Sequence, residues 1–309
     1  MTTTRLFFPA GVKIATTYLA HVGEQSADQK LEDLTIHPSG DWAPNFTGSK
    51  KKAPEFSVEC FDLVKALDLM TSESMCASIA AGNVDLLYRA AQKAAFAYGV
   101  ATANHLVYRL QQDACLYWEQ IQATQDDELK ISLRLAPWYN NSNAILTALP
   151  SQTIDAPGTI VAPFTLGPIK INGTTITGCK SMSWSNGLEV VKEYDSGEAV
   201  PSLVVMRRAK PVISFETTDP HLVHTAPLIA DDGEPVNSFA VFLRRRRPSK
   251  LNYDDGDAMH AKLHKTAALC GTAKWMSVSG DPARVKCELH LHRVGTGTLF
   301  DYTKDCAIA

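Results

Sequence analysis

A faint internal repeat, spaced at close to half the chain, constrains the fold more than any other feature of this sequence. Lys51-Lys-Ala-Pro54-Glu-Phe-Ser57-Val-Glu59-Cys-Phe-Asp62-Leu reads against Arg208-Ala-Lys-Pro211-Val-Ile-Ser214-Phe-Glu216-Thr-Thr-Asp219-Pro. Pro54, Ser57, Glu59 and Asp62 meet Pro211, Ser214, Glu216 and Asp219 at one offset, 157 residues (211 − 54). The same offset takes Val12-Lys13-Ile14 to Ile169-Lys170-Ile171 and Trp118 to Trp275. One residue off it, Phe8 matches Phe164, Gly11 matches Gly167, and Lys130-Ile-Ser-Leu133-Arg-Leu135 matches Lys286-Cys-Glu-Leu289-His-Leu291. The order of these matches in a chain of 309 residues predicts two similar domains, 1–155 and 156–309. The boundary falls near Ser151-Gln-Thr-Ile-Asp-Ala-Pro157-Gly158, where Pro-Gly and small polar residues interrupt the pattern.

Within each half the periodicity is that of strands. Glu55–Glu59, Lys130–Leu135, Ser202–Met206, Val212–Glu216, Phe239–Leu243, Lys274–Val278 and Arg284–Leu291 have strand length. Several alternate, as Lys130, Ser132 and Arg134 do against Ile131, Leu133 and Leu135. Ile169-Lys-Ile-Asn172-Gly173-Thr-Thr-Ile176 predicts a hairpin, because Asn-Gly supplies the two positive-φ positions of a two-residue turn. Asp126-Asp127 and Gly280-Asp281-Pro282 read as turns at matching places in the two halves. Two helices are expected. Asn83–Ala97 carries Leu86, Ala90, Lys93 and Ala97 on one stripe with Gly99 as a stop, and Asp257–Leu269 is the best helical run of the second half. The expected architecture is mainly β, two tandem sandwiches or partial barrels, each with a flanking helix.

Composition excludes several classes. With 45% hydrophobic and 20% charged residues the chain is neither disordered nor fibrous. A net charge of −3 provides no global field for nucleic acid or an anionic membrane. The seven cysteines (Cys60, Cys76, Cys115, Cys179, Cys270, Cys287, Cys306) form no CxxC and suggest reduced, mostly buried thiols. Met1-Thr-Thr-Thr-Arg5-Leu-Phe-Phe-Pro9 does not read as a signal peptide, and no apolar run has membrane-helix length, so an intracellular globular chain is expected. Without a signal peptide the triplets at Asn45, Asn140 and Asn172 carry no glycosylation reading.

Few residues invite chemistry. His290-x-His292 puts two imidazoles on one strand face, with His221, His224, His260 or His264 as a possible third metal ligand. Alternation with Leu289 and Leu291 favours the outer face of a half-buried strand instead. His260-x-x-x-His264 lacks the glutamate of a HExxH site and reads as a polar helix face. Cys115 and Cys270 sit beside apolar residues and read as structural thiols. No GxSxG, P-loop or GxGxxG occurs, and Gly295-Thr-Gly297-Thr reads as a turn. No catalytic residue, cofactor or metal is expected.

The one strong charge run is Arg244, Arg245, Arg246 and Arg247. It could contact a nucleic-acid backbone, but a subunit interface fits better, with Asp231, Asp232 and Glu234 or Asp254, Asp255 and Asp257 as acidic partners. Arg244–Arg247, Asp254 and Asp255 are therefore the candidate interface residues.

The stretch Ile176-Thr-Gly178-Cys-Lys-Ser-Met-Ser-Trp184, continuing through Tyr194, Gly197 and Pro201 to Arg207-Arg-Ala-Lys-Pro211-Val-Ile-Ser-Phe-Glu-Thr-Thr-Asp219, resembles bacteriophage tail tube proteins in its order of hairpin, polar loop and strand. Arg284–Val294 with its glycine-containing turn also fits, so the resemblance covers most of the second half and, through the repeat, about half of the first. It implies a β-sandwich with a flanking helix whose sheet joins those of its neighbours around a lumen. A tandem pair resembles the variant in which three chains form a pseudo-hexameric ring. The implied role is a structural virion protein of stacked homotrimeric rings, assembled in the host cytoplasm and located in the tail. Its partners would be itself, other tail proteins such as hub, terminator and tape measure, and passing DNA without specific binding; no membrane is involved. A baseplate hub or tail adaptor ring is the neighbouring alternative, and a metalloenzyme built on His290 and His292 the remote one.

Overall fold

The computed structural model describes residues 7–28, 30–36, 46–70, 75–91, 98, 105–140, 143–156, 163–176, 178–196, 198–218, 233–245, 255–279 and 284–308. In the first part of the chain the strands are β1 (Phe7–Ile14), β2 (Thr17–Leu19), β3 (Val22–Asp28), β4 (Leu31–Ile36), β5 (Phe46–Lys52) and β6 (Glu55–Cys60), followed by helix α1 (Leu63–Asp68). Then come β7 (Cys76–Ile79), β8 (Val84–Ala90), β9 (His105–Leu110), β10 (Asp113–Thr124), β11 (Lys130–Trp138) and β12 (Leu146–Gln152). The second half contains β13 (Phe164–Ile171), β14 (Thr174–Ile176), β15 (Cys179–Ser185), β16 (Glu189–Glu193), β17 (Leu203–Arg208) and β18 (Val212–Thr217). It ends with β19 (Glu234–Arg245), β20 (His260–Ser279), β21 (Arg284–Leu291) and β22 (Asp301–Cys306). The fold is mainly β, as the periodicity implies.

Two large antiparallel sheets and two hairpins account for the strands. One sheet has the order β12-β9-β8-β1-β2. The other runs β14-β13-β19-β20-β21-β18-β15-β10-β11-β6-β3, with β22 added to β20 and β7 to β10. β4–β5 and β16–β17 are separate hairpins. One contiguous core holds Val12 and Leu86 from the smaller sheet together with Leu116, Ile131, Trp184 and Leu289 from the larger.

The ladder registers recur along the chain. β3 pairs β6 as Gln25↔Val58, Ser26↔Ser57, Ala27↔Phe56 and Asp28↔Glu55, with a bulge after Val22. β15 pairs β18 as Met182↔Phe215, Ser183↔Ser214, Trp184↔Ile213 and Ser185↔Val212, with a bulge after Cys179, every residue 157 positions on (182 − 25). Val12↔Leu19 and Ile169↔Ile176 repeat the β1–β2 and β13–β14 hairpins, and Glu32↔Lys51 and Glu189↔Arg208 repeat β4–β5 and β16–β17. The bulge after Trp118 in β10 returns after Trp275 in β20. In the middle the offset shortens to 155 (239 − 84): Val84↔Leu110 of β8–β9 answers to Phe239↔Lys265 of β19–β20. Ile131 lies opposite Cys60 as Val285 lies opposite Thr217, an offset of 154 (285 − 131). Lys130–Leu135 thus matches Arg284–Leu289, two residues from the pairing read off the sequence. A shift of two is one full strand period, so the same side chains still face inward.

Several local expectations hold. Asn172 (φ 50) and Gly173 (φ 81) make the two-residue turn between β13 and β14. Asn172 also accepts from the Asn237 N–H at 2.8 Å and donates through Nδ2 to the Pro235 carbonyl at 3.0 Å, tying the turn to β19. Asp126 and Asp127 lie in the bend between β10 and β11. The Gly280-Asp281-Pro282 turn, Asp219, and Pro157-Gly158 of the expected boundary lie outside the described residues.

The two expected helices are strands over their described residues. Val84–Ala90 is β8, between β1 and β9, with Val84, Leu86, Leu87 and Ala90 buried. The alanine-rich composition favours a helix locally, but a slot flanked by two hydrogen-bonding strands outweighs propensities worth tenths of a kcal/mol per residue. Asp257–Leu269 likewise lies mostly in β20, where Ala261 and Leu263 are buried and Lys262 and His264 only half-buried. α1 is the helix present among the described residues, capped by the Asp62 side chain accepting from the Lys65 N–H at 3.2 Å. Leu63, Ala66 and Leu67 are its buried side.

Gly11 and Gly167 are among the glycines needed for close approach rather than for turns. A Cβ on Gly11 would lie 2.7 Å from the Leu19 carbonyl oxygen, and one on Gly167 2.8 Å from that of Phe242. Gly167→Ala should therefore lower stability by about 1–3 kcal/mol. Gly297→Ala, whose Cβ would sit 3.4 Å from the nearest atom, should stay within about 0.5 kcal/mol; urea denaturation of both variants checks the contrast.

Candidate assembly interface

The first and second halves meet strand to strand. β10 pairs β15 as Gln120↔Ser185, Ile121↔Trp184, Gln122↔Ser183, Ala123↔Met182 and Thr124↔Ser181. The ladder continues at each end, where the Asn186 N–H donates to the Glu119 carbonyl (3.2 Å) and the Gln125 N–H to that of Lys180 (3.1 Å). Gln120 Nε2 adds a 2.6 Å bond to Ser183 Oγ. Beneath the seam Trp118, Ile121 and Trp184 are fully buried. Trp118 and Trp184 stack edge to face at 5.9 Å between centroids, and Phe300 lies 4.6 Å from Trp184. Such aromatic pairs contribute about 0.5–1.5 kcal/mol each beyond the area they bury.

The β16–β17 hairpin and the loop between its strands join the halves a second time, at β6 and its flanks. Lys192 on β16 donates to Glu55 Oε1 on β6 (2.9 Å) and to the Ala53 carbonyl (3.2 Å). The Lys52 N–H donates to the Ala199 carbonyl and the Tyr139 N–H to that of Pro201. Lys30 also donates to Glu55. Burial alone would raise the Glu55 carboxyl, but the bonds from Lys30 and Lys192 hold it below its ordinary value.

Among the described residues β14, β22 and β7 each pair on one side only, and two further edges of the large sheet are open in the same way. β3 pairs only β6, and residues 277–279 of β20 pair only β21. Their side chains face outward: Ser26, Ala27 and Asp28 are exposed, Trp275 is 43% exposed and Val278 58%. At the offset of 157 (275 − 118), Trp275 and Val278 correspond to the buried Trp118 and Ile121.

The two described arginines of the charge run, Arg244 and Arg245, contact their own chain. Arg244 grips Asp255 with two bonds, Nε to Oδ1 at 2.9 Å and Nη2 to Oδ2 at 2.8 Å. Arg245 lies over the Phe164 ring (4.7 Å) and 3.9 Å from Asp305. Arg246, Arg247, Asp254, Asp231 and Asp232 lie outside the described residues.

The histidines do not converge. His290 on β21 lies 3.3 Å from Glu288, while His292 follows the strand and is exposed. His264 contacts Thr303 at 2.9 Å. His221 and His224 fall outside the described residues, which contain no group of three His, Cys, Asp or Glu placed to hold a metal ion. A matched pair escaped the sequence reading: His105 and His260, both fully buried, 155 apart (260 − 105). The Ala90 N–H donates to His105 Nδ1 (3.2 Å) and the Arg245 N–H to His260 Nδ1 (3.0 Å). Each ring thus caps a backbone donor at the end of β8 or β19, and the equal spacing of acceptor and donor was the signal available.

Burial disfavours the thiolate form of several cysteines. Burial pushes Cys60, Cys179 and Cys287 up to about 12. Cys115 is raised by its hydrogen bond with Cys76 and by burial. No helix among the described residues is long and apolar enough to cross a membrane.

Two outcomes follow from the seam. Trp184→Ala should cost about 3–5 kcal/mol in chemical denaturation, whereas Trp275→Ala should stay within about 0.5 kcal/mol in dilute solution. A carboxyl held low in the fold stabilises above its unfolded pKa and loses that contribution as pH falls through its folded value. Glu55→Gln should therefore lower stability at pH 7 by about 1 kcal/mol, with the gap to wild type closing as pH drops through the carboxylate range; melting temperatures against pH read this directly. No protein-family model matches the chain, and no curated protein matches it either.

Proposed function

We propose that this chain is a structural virion protein whose two related β domains, 1–155 and 156–309, arose by duplication. Three copies close into a pseudo-hexameric ring, and rings stack into a phage tail tube that conducts DNA. The observation that carries this reading is the β10–β15 seam. One chain already joins two register-matched halves edge to edge, and it leaves open one edge of each kind that the seam uses. A contact between unlike edges repeats, and a rotation that closes turns repetition into a ring. Closure also removes the exposed borders that make open sheets prone to aggregation.

The partners implied are further copies of the chain and the neighbouring tail components, hub, terminator and tape measure. The protein would reside in the virion tail after assembly in the host cytoplasm. The ion pair between Arg244 and Asp255 supports passage of DNA without specific binding, since it engages one arginine of the basic run within the chain.

Electron microscopy of the purified chain and of the parent particle tests the assignment. Rings of three chains with six similar lobes, present in many layers per particle, are expected. A single ring per particle would make the protein a hub or adaptor, and persistent monomers with no particle association would overturn the ring altogether.

A further inference from the structure

The geometry points to one seam between neighbouring chains: the end of β20 in one copy pairs antiparallel with β3 of the next, as Ser277↔Asp28, Val278↔Ala27 and Ser279↔Ser26. This rests on the ring reading above and adds which edges meet and in which register. It comes from moving the internal ladder by the repeat offset. Gln120↔Ser185, Ile121↔Trp184 and Gln122↔Ser183 become those three pairs when β10 is advanced by 157 (277 − 120) and β15 set back by 157 (185 − 28).

Backbone phase supports the transfer on both sides. β3 meets β6 in the register in which β15 meets β18, with a bulge starting at the equivalent residue, Val22 or Cys179. The outer N–H and C=O groups of β3 therefore alternate as those of β15 do. β20 carries its bulge after Trp275 as β10 does after Trp118, so residues 277–279 present the phase that 120–122 present to β15. A bulge sets which face each later side chain occupies, and matching bulges match the faces.

Side-chain exposure supports it independently. Trp118 and Ile121 are fully buried inside the chain, yet their counterparts Trp275 and Val278 are 43% and 58% exposed. Met276 between them is 45% exposed. Neighbouring large apolar side chains on an open edge mark a contact surface. The new seam would be the lighter of the two, because Ala27 stands where the internal seam has Trp184. One tryptophan instead of a stacked pair suits a joint formed after each chain has folded. The two edges differ, so each chain offers one of each and a second copy of the chain is the fitting occupant.

Cysteine cross-linking reads the register. The bonds from Asn186 to Glu119 and from Gln125 to Lys180 mark those as hydrogen-bonded pairs, so by alternation Gln122↔Ser183 is a non-hydrogen-bonded one. Such pairs have Cα atoms about 4.5 Å apart, within disulfide reach. Ser26→Cys with Ser279→Cys, oxidised mildly in assembled material, should give interchain disulfides joining positions 26 and 279 in peptide mass spectra. Ala27→Cys with Ser279→Cys, one residue out of phase, should link about tenfold less. Val278→Asp should keep the stability of the dilute chain within about 0.5 kcal/mol while abolishing association in light scattering. Rings that form without the 26–279 link, or a Val278→Asp chain that assembles like wild type, would overturn this seam and leave the ring standing. A chain that neither links nor associates at any concentration, and is missing from particles, would overturn both.

Discussion

A strand that pairs on one side only presents a row of unpaired N–H and C=O groups, and this constraint organises the molecule. Inside the chain it is met where β10 accepts β15. The Trp118–Trp184–Phe300 cluster then makes that pairing part of the core rather than a surface contact. The hydrogen bonds set the register and the aromatic burial supplies most of the free energy, since a net backbone hydrogen bond contributes only about 1 kcal/mol. Lys192 reinforces the join by reaching Glu55 across it.

The repeated registers depend on local devices that recur with them. Bulges follow Val22 and Cys179, and Trp118 and Trp275. Positive φ occurs at Ala15 and Asn172 and again at Ser151 and Asp305. His105 and His260 each accept the N–H that ends a neighbouring strand. A bulge or a capped strand end is costly to move, because a slip of one residue turns a whole face outward. Side chains around these points differ between the halves while the backbone geometry recurs. The halves differ most in continuity: β19 and β20 are single long strands where the first half has β7 with β8 and β9 with β10. Apart from the separate β4–β5 and β16–β17 hairpins, that splits the first half between two sheets and leaves the second half in one.

Several described side chains that invite chemistry are engaged in holding the structure. Arg244 grips Asp255, His105 and His260 cap backbone donors, and the buried thiols are held protonated by their surroundings. What the surface offers instead is edges and exposed apolar residues, which suits a role in assembly.

The β character, the Asn172-Gly173 hairpin and the offset of 157 were legible in the amino-acid sequence, because alternation, turn chemistry and spacing are local or linear signals. Val84–Ala90 and the 260–269 stretch were not: their residues favour a helix in isolation, and only the strands on either side impose the extended form. The same holds for Lys130–Leu135, whose true partner run is displaced by two residues, a shift invisible to side-chain alternation and set by opposing strands. The candidate site divides in the same way. Sequence alone marked Trp118 and Trp275 as counterparts, but that one is buried against Trp184 and the other exposed is decided by which strand lies alongside. Pairing between distant segments is a property of three-dimensional packing, so the internal seam and the open edges at β3 and the end of β20 emerged only with the tertiary structure.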